Sequence, residues 1–213
     1  MQTDDLILSL VSQTRPVPRH TVEGRVLLGL LAGATATTFL LLGTLGLRSD
    51  LMPAMHGLSF WMKAGYTLSI AVIAVAALLH VARPDAGRSR LLWLALVPVG
   101  VIAGVGCNEL MTAPSSHWLP MWVGHSWRQC PVNVAFLSLP VFAGLLWAFR
   151  KLAPTRLHVA GAAAGLAAGA TGAAVYSMHC QETTAMFLLT WYSLGILAAV
   201  VVGALVGPRL MRW

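Results

Sequence analysis

The chain reads as an all-α, polytopic integral membrane protein: a six-transmembrane-helix bundle preceded by a short amphipathic helix at the N-terminus. Three observations predict this. Apolar residues make up 57% of the 213 and charged residues only 10%, whereas a water-soluble domain carries about a quarter charged. The apolar residues fall into six runs, each near the roughly 20 residues a helix needs to cross a hydrocarbon core. Between the runs, Lys and Arg alternate between crowded and sparse loops, the pattern that sets orientation in a membrane. An ordinary water-soluble enzyme is thereby excluded. A pI near 10.2 raises the question of nucleic acid. The basic residues sit in short loops beside apolar runs, however, and form no patch interleaved with aromatics, so no direct nucleic-acid contact is expected.

Residues 1–25 form a segment too short to bury a core of its own. Thr3, Asp4 and Asp5 make a favourable helix start, because hydroxyl and carboxylate groups cap free N–H groups and acidic side chains suit the positive end of the helix dipole. Leu6, Ile7, Leu10 and Val11 then share one face, and Pro16 with Pro18 closes the element. About ten residues of helix are marginal alone in water, so the apolar face needs cover. Membrane-surface helices usually carry Lys or Arg on the polar face, and this one carries Asp4 and Asp5, which favours a partner groove over membrane lipid.

Residues 26–213 form the transmembrane domain. The first run, about 26–47, is longer than the core of a cleavable signal peptide and reads as a retained helix. The second covers about 58–82. The third, about 91–112, is interrupted by Pro98, which predicts a kink, and ends on Cys107, Asn108 and Glu109. An ionisable Glu109 at membrane depth is a functional candidate by default, reaching headgroup water or pairing with Arg128. In the loop that follows, Trp118, Met121, Trp122 and His125 stand at i, i+3, i+4, i+7, the spacing of a short interfacial helix as well as of an aromatic belt. The fourth run covers about 132–149, the fifth 157–178 and the sixth 185–206. Gly29 and Gly33, then Gly161, Gly165 and Gly169, then Gly203 and Gly207 recur every four residues and predict close helix packing.

Charge fixes the sides. One set of flanks holds Arg15, Arg19, Arg25, Arg83, Arg88, Arg90, Arg150, Lys151, Arg156, Arg209 and Arg212, and the other only Arg48, Lys63 and Arg128. Eleven against three places both termini in the cytoplasm, as an even number of spans requires. Cys130 and Cys180 then fall together at the sparse, extracytoplasmic face. No Cys-x-x-Cys spacing suggests a zinc ribbon or thioredoxin motif. In an oxidising compartment the two form a disulfide if their Cα atoms come within about 7 Å. Thiolate, imidazole and thioether together also make a soft ligand set for Cu(I) or zinc, with His179, Met178, His125, His117 and Glu182 as auxiliary donors. Spacing alone leaves a structural disulfide and a reactive or metal-responsive pair equally open. Cys107 reads as a small buried hydrophobe. No nucleophile with an ordered base and no phosphate-binding loop appears, so no enzyme is expected.

The N-terminal "QTDDLILSLVSQTRPVPR", the six spans, the "QCPVN" at the fourth and the closing "HCQETTAMFLLTWYSLGI" with "GPRLMRW" together resemble the family of negative regulators of sigma F, membrane anti-sigma factors of proteobacteria. The resemblance covers essentially the whole chain. It implies an inner-membrane protein whose cytoplasmic N-terminal segment, with Asp4, Asp5, Leu6, Ile7 and Leu10, docks an extracytoplasmic-function sigma factor. It also implies that Cys130 and Cys180 respond to metal or oxidative stress, a Cu or other soft ion acting as inducing ligand rather than resident cofactor. One departure stands out: the family commonly has Cys-Pro-Glu at the last motif, and this chain has Cys180, Gln181 and Glu182, so that loop is expected to be less fixed. Two alternatives from other classes are a quinone-linked membrane thiol-disulfide oxidoreductase, which needs a second cysteine pair, and a small metal-ion transporter, which needs intramembrane charge and broken helices.

Overall fold

The computed structural model describes residues 3–13, 20–83, 90–150, 152 and 156–211, leaving the side chains at 4, 6, 8, 10 and 13 outside that description. Among these residues the regular structure is all helix, and six helices are long and apolar enough to cross a membrane: Thr21–Thr44, Leu58–Val81, Leu91–Thr112, Gln129–Phe149, Leu157–Tyr176 and Ala185–Leu210. All six runs expected from sequence are present. The largest shift is at the first span, which starts five residues early. The fourth starts at Gln129, so Cys130 and Pro131 lie inside its first turn, where a proline displaces no intrahelical bond. In the third span Pro98 lies near the entry to the α-helix. The span opens as a 3-10 turn over Leu91–Ala95, and the α-helix begins at Leu96. Pro98 therefore sits in the first α-turn, where its missing N–H costs nothing.

Alternate ends of the bundle carry different chemistry. At the basic end, Arg83, just past the second span, donates to Glu23 on the first at 2.8 Å. Of the eleven residues counted for that end, Arg15, Arg19, Arg88, Lys151 and Arg212 lie outside the described residues, as do Pro16 and Pro18. The other end carries Cys130, Cys180 and the loops around them, and is called the cysteine end below.

The glycine spacings do what they predict. A Cβ at Gly161 or Gly165 would run into the carbonyls of Gly203 or Ala199 on the sixth span, and one at Gly29 into Gly144 on the fourth. Backbones that close leave room for hydrogen only. The fifth span, rich in Ala and Gly, is consequently the central one, 67% buried, while the third is a peripheral helix only 11% buried. Thr37 on the first span ties to the fourth by donating its hydroxyl to the Leu137 carbonyl at 3.0 Å.

The N-terminal helix is present over Thr3–Gln13. Ile7 and Val11 on its apolar face are 52% and 63% exposed. The side chains of Asp4, Leu6 and Leu10 lie outside the described residues.

Candidate functional site at the cysteine end

Three loop segments meet around Cys180: the one after the first span, the long one after the third, and its own between the fifth and sixth. Cys180 follows the fifth span directly, its N–H donating to the Tyr176 carbonyl at 3.0 Å. Its own carbonyl receives two cations: the Lys63 ammonium at 3.0 Å and the Arg48 guanidinium at 3.3 Å. Arg48 is in turn clamped by Asp50 through two bonds of 2.6 and 2.8 Å. That pairing holds the Asp50 carboxyl below the usual aspartate range and raises the Arg48 guanidinium. His179 contacts the Gly46 carbonyl through Nδ1 at 3.0 Å.

Glu182 ties this loop to the long loop after the third span. One carboxylate oxygen accepts the His125 N–H at 2.7 Å, the Ser126 N–H at 3.1 Å and the Ser126 hydroxyl at 3.1 Å. The chain reaches that position through Gly124, whose φ of +59° is open to glycine without strain. A Cβ there would also strike Glu182 and Phe187. Thr184 adds a bond from its hydroxyl to the Met121 carbonyl at 2.7 Å, and Trp191 one from its indole N–H to the Trp122 carbonyl at 2.9 Å. The loop expected to be less fixed is thus held from outside, by tertiary bonds at positions 179, 180, 182 and 184.

The thiols lie beneath these loops. Cys130 is wholly buried and Cys180 is 3% exposed. Both are free thiols in one apolar cluster with Tyr176, Phe187 and Tyr192. Tyr192 lies in a π-helical turn over Leu188–Tyr192 inside the sixth span, a distortion common at functional sites. Its hydroxyl is buried without a hydrogen-bond partner among the described residues. Above Cys180 a cavity of about 460 Å³ opens, lined by Arg48, His125, Gln129, Tyr176, His179 and Glu182 among others.

Two of the auxiliary ligands anticipated from sequence, His179 and Glu182, are bonded to neighbouring loops. Met178 is exposed. No three His, Cys, Asp or Glu side chains come together to hold a metal ion among the described residues. The donors present do not fit a site of three or four ligands. Cys107 is exposed on the third span, not buried as its residue type suggested. Glu109 does not pair with Arg128, which instead lies 4.9 Å over the Trp127 ring. Glu109 accepts the Ala185 N–H at 2.8 Å and so caps the sixth span. The interfacial helix is shorter than its spacing suggested, ending at Val123, so His125 is off it.

Lys63 was missed as a site residue, its charge counting only toward the flank. It is fully buried in the second span. The available signal was its place well inside an apolar run, where a lysine needs a partner.

Six helices long and apolar enough to cross a membrane, with two buried thiols toward one end, define the class as a helical membrane-protein bundle. The family model described as negative regulator of sigma F matches residues 10–213, and the chain belongs to that family. It is 37% identical to the probable anti-sigma-F factor NrsF of Azospira oryzae and 38% identical to the anti-sigma-F factor NrsF of Caulobacter vibrioides, each match covering all of both chains. No solved structure matches the chain.

Proposed function

We propose that this chain is an inner-membrane anti-sigma factor. Its cytoplasmic N-terminal helix holds a sigma factor of the extracytoplasmic-function class away from RNA polymerase, and oxidation of Cys130 and Cys180 at the outer face releases it. The observation that carries the reading is the division of the molecule. Ile7 and Val11 stand exposed on a helix that precedes the basic end, while two thiols are buried in one apolar cluster at the opposite end. Full-length similarity to two anti-sigma-F factors supports the partner class.

A mechanical route joins the two ends. Cys130 opens the fourth span, which meets the first span through Thr37 and the Gly29–Gly144 approach. The first span leads back to the N-terminal helix. Joining Cys130 to Cys180 ties the fourth span to the loop before the sixth and favours a second packing of that contact. Moving a partner from mostly held to mostly free needs several kcal/mol of difference between the two states, within the range of a disulfide's stability. A thiol pair without a third ligand favours oxidant over metal as the signal.

The test is co-purification of sigma factors with the detergent-solubilised chain, comparing the full chain with one lacking residues 1–20. The full chain alone should recover one sigma factor; recovery by neither contradicts the anti-sigma reading, and equal recovery by both contradicts the N-terminal placement. In cells, a Cys130→Ser, Cys180→Ser double variant should keep the sigma factor bound under oxidative stress. Normal induction in that variant rules out the cysteines as the sensor.

A further inference from the structure

The sixth span ends with a backbone defect that the fifth span repairs. Pro208 lies in the last turn of the helix Ser193–Leu210. It has no N–H, so the carbonyl four residues earlier, that of Ala204, loses its helical donor. In a membrane such a carbonyl needs a partner from a neighbouring helix. It finds His158, the second residue of the fifth span, whose Nδ1 lies 3.0 Å away. A carbonyl only accepts, so Nδ1 carries the hydrogen and donates it, and the neutral ring then presents a lone pair at Nε2. Nε2 has no partner among the described residues.

Arg209, next in the chain, borders the same space. His158, Leu205, Pro208 and Arg209 line a cavity of about 320 Å³. The guanidinium gives one bond, at 3.4 Å, to the Leu205 carbonyl of its own helix, out of five N–H donors. Neither ion pair among the described residues includes it, and Glu23 at this end is taken by Arg83. No carboxylate lines the cavity. Its walls are held fixed, because the fifth and sixth spans touch backbone to backbone at Gly161, Gly203 and Gly207. Leu205 is 59% exposed, which puts the cavity on the outer surface of the bundle. His158 starts one span and Arg209 ends another, so both stand at the depth of lipid headgroups.

We propose that His158 and Arg209 form a binding site for an anionic phospholipid with a hydroxylated headgroup. Arg209 takes the phosphodiester through its N–H groups, Nε2 of His158 accepts a headgroup hydroxyl, and an acyl chain lies along Leu205. Charge and depth together select this occupant. A basic pocket between spans at the basic end of the bundle meets anionic headgroups, whereas an acidic protein segment would match the charge and leave Leu205 without hydrocarbon. The site is independent of the cysteines and of the signal they carry.

The experiment uses the full chain in a neutral detergent, with native mass spectrometry of bound lipid as the readout. The probes are phosphatidylglycerol, phosphatidylmethanol, which lacks the headgroup hydroxyls, and zwitterionic phosphatidylcholine. Phosphatidylglycerol should bind more tightly than phosphatidylcholine, and Arg209→Gln should weaken it by about fivefold, the worth of one arginine near an anionic membrane surface. Arg150→Gln removes an exposed arginine that does not line the cavity and should change nothing. Equal losses in the two variants would show diffuse attraction and overturn the site. The unaltered chain should prefer phosphatidylglycerol to phosphatidylmethanol, and His158→Asn, which keeps a donor near the Nδ1 position and removes Nε2, should erase that preference. Its absence from the unaltered chain overturns the role given to His158. Soluble glycerol phosphate should not displace the lipid; full displacement would make this a site for free phosphate and overturn the lipid assignment. Loss of sigma-factor recovery in Arg209→Gln with lipid binding intact would give the pocket to a protein and overturn it as well.

Discussion

Two buried clusters meet in the middle of the bundle, and they differ in what they enclose. The one toward the basic end is apolar throughout: Val26, Leu78, Leu145, Phe149, Met211 and a run of alanines of the fifth span. The one toward the cysteine end mixes Leu137, Phe187 and Leu188 with Cys130, Cys180, Tyr66, Tyr176 and Tyr192, and Lys63 is buried beside it. The first kind of core has one satisfactory packing, held by backbones in contact. The second contains groups whose charge and bonding can change, and so it can have two. A membrane regulator needs both, a scaffold to transmit a displacement and a region where chemistry creates one.

The scaffold half should be the easier to break. Gly161→Leu or Gly165→Leu places carbon against a backbone carbonyl of the sixth span, which a rotamer change cannot relieve. Overpacking of this kind costs about 1–3 kcal/mol or more, and the expected result is loss of the folded protein in thermal unfolding in detergent. A tolerated leucine at both positions would mean that the fifth and sixth spans are not in backbone contact.

At the cysteine end the expected effects are smaller and local. Glu182→Ala removes three hydrogen bonds and leaves two backbone N–H groups to find water, a loss of about 1–3 kcal/mol. Hydrogen exchange should rise at His125 and Ser126 and stay unchanged along the fifth span. Glu109→Ala removes the cap on Ala185 and should cost about 1 kcal/mol, read as fraying at the start of the sixth span. The smallest effect is the pH dependence of the Arg48–Asp50 pair. Because Arg48 depresses the Asp50 carboxyl in the folded state, the pair stabilises at neutral pH and its contribution is lost as pH falls through the depressed value. Asp50→Asn should flatten that part of the acid limb of an unfolding curve; an unchanged limb would show that the pair does not matter to folding.

The same division separates what was legible in the sequence from what was not. Gly161, Gly165 and Gly203 were readable because a helix brings every fourth residue to one face, so spacing already implies contact. The six spans and their alternating charge were readable for the same reason, each being a local property of the chain. Lys63 was counted as a flanking charge because composition cannot distinguish a lysine at a membrane surface from one folded over a carbonyl 117 residues away. Glu109 and Glu182 bind backbone N–H groups 76 and 57 residues off, and backbone donors leave no mark on a sequence. His179 looked like a ligand from its neighbour Cys180, yet its bond runs to Gly46 in another loop. The π turn that carries Tyr192 likewise follows from packing, not propensity.

The most direct test of the account joins its two ends in one measurement. The full chain, reconstituted in membranes with its sigma factor bound, is treated with peroxide, and sigma retention is followed together with Cys130–Cys180 disulfide formation. The account predicts that the sigma factor dissociates as the disulfide forms and rebinds when it is reduced. Complete disulfide formation with the sigma factor still held would contradict it.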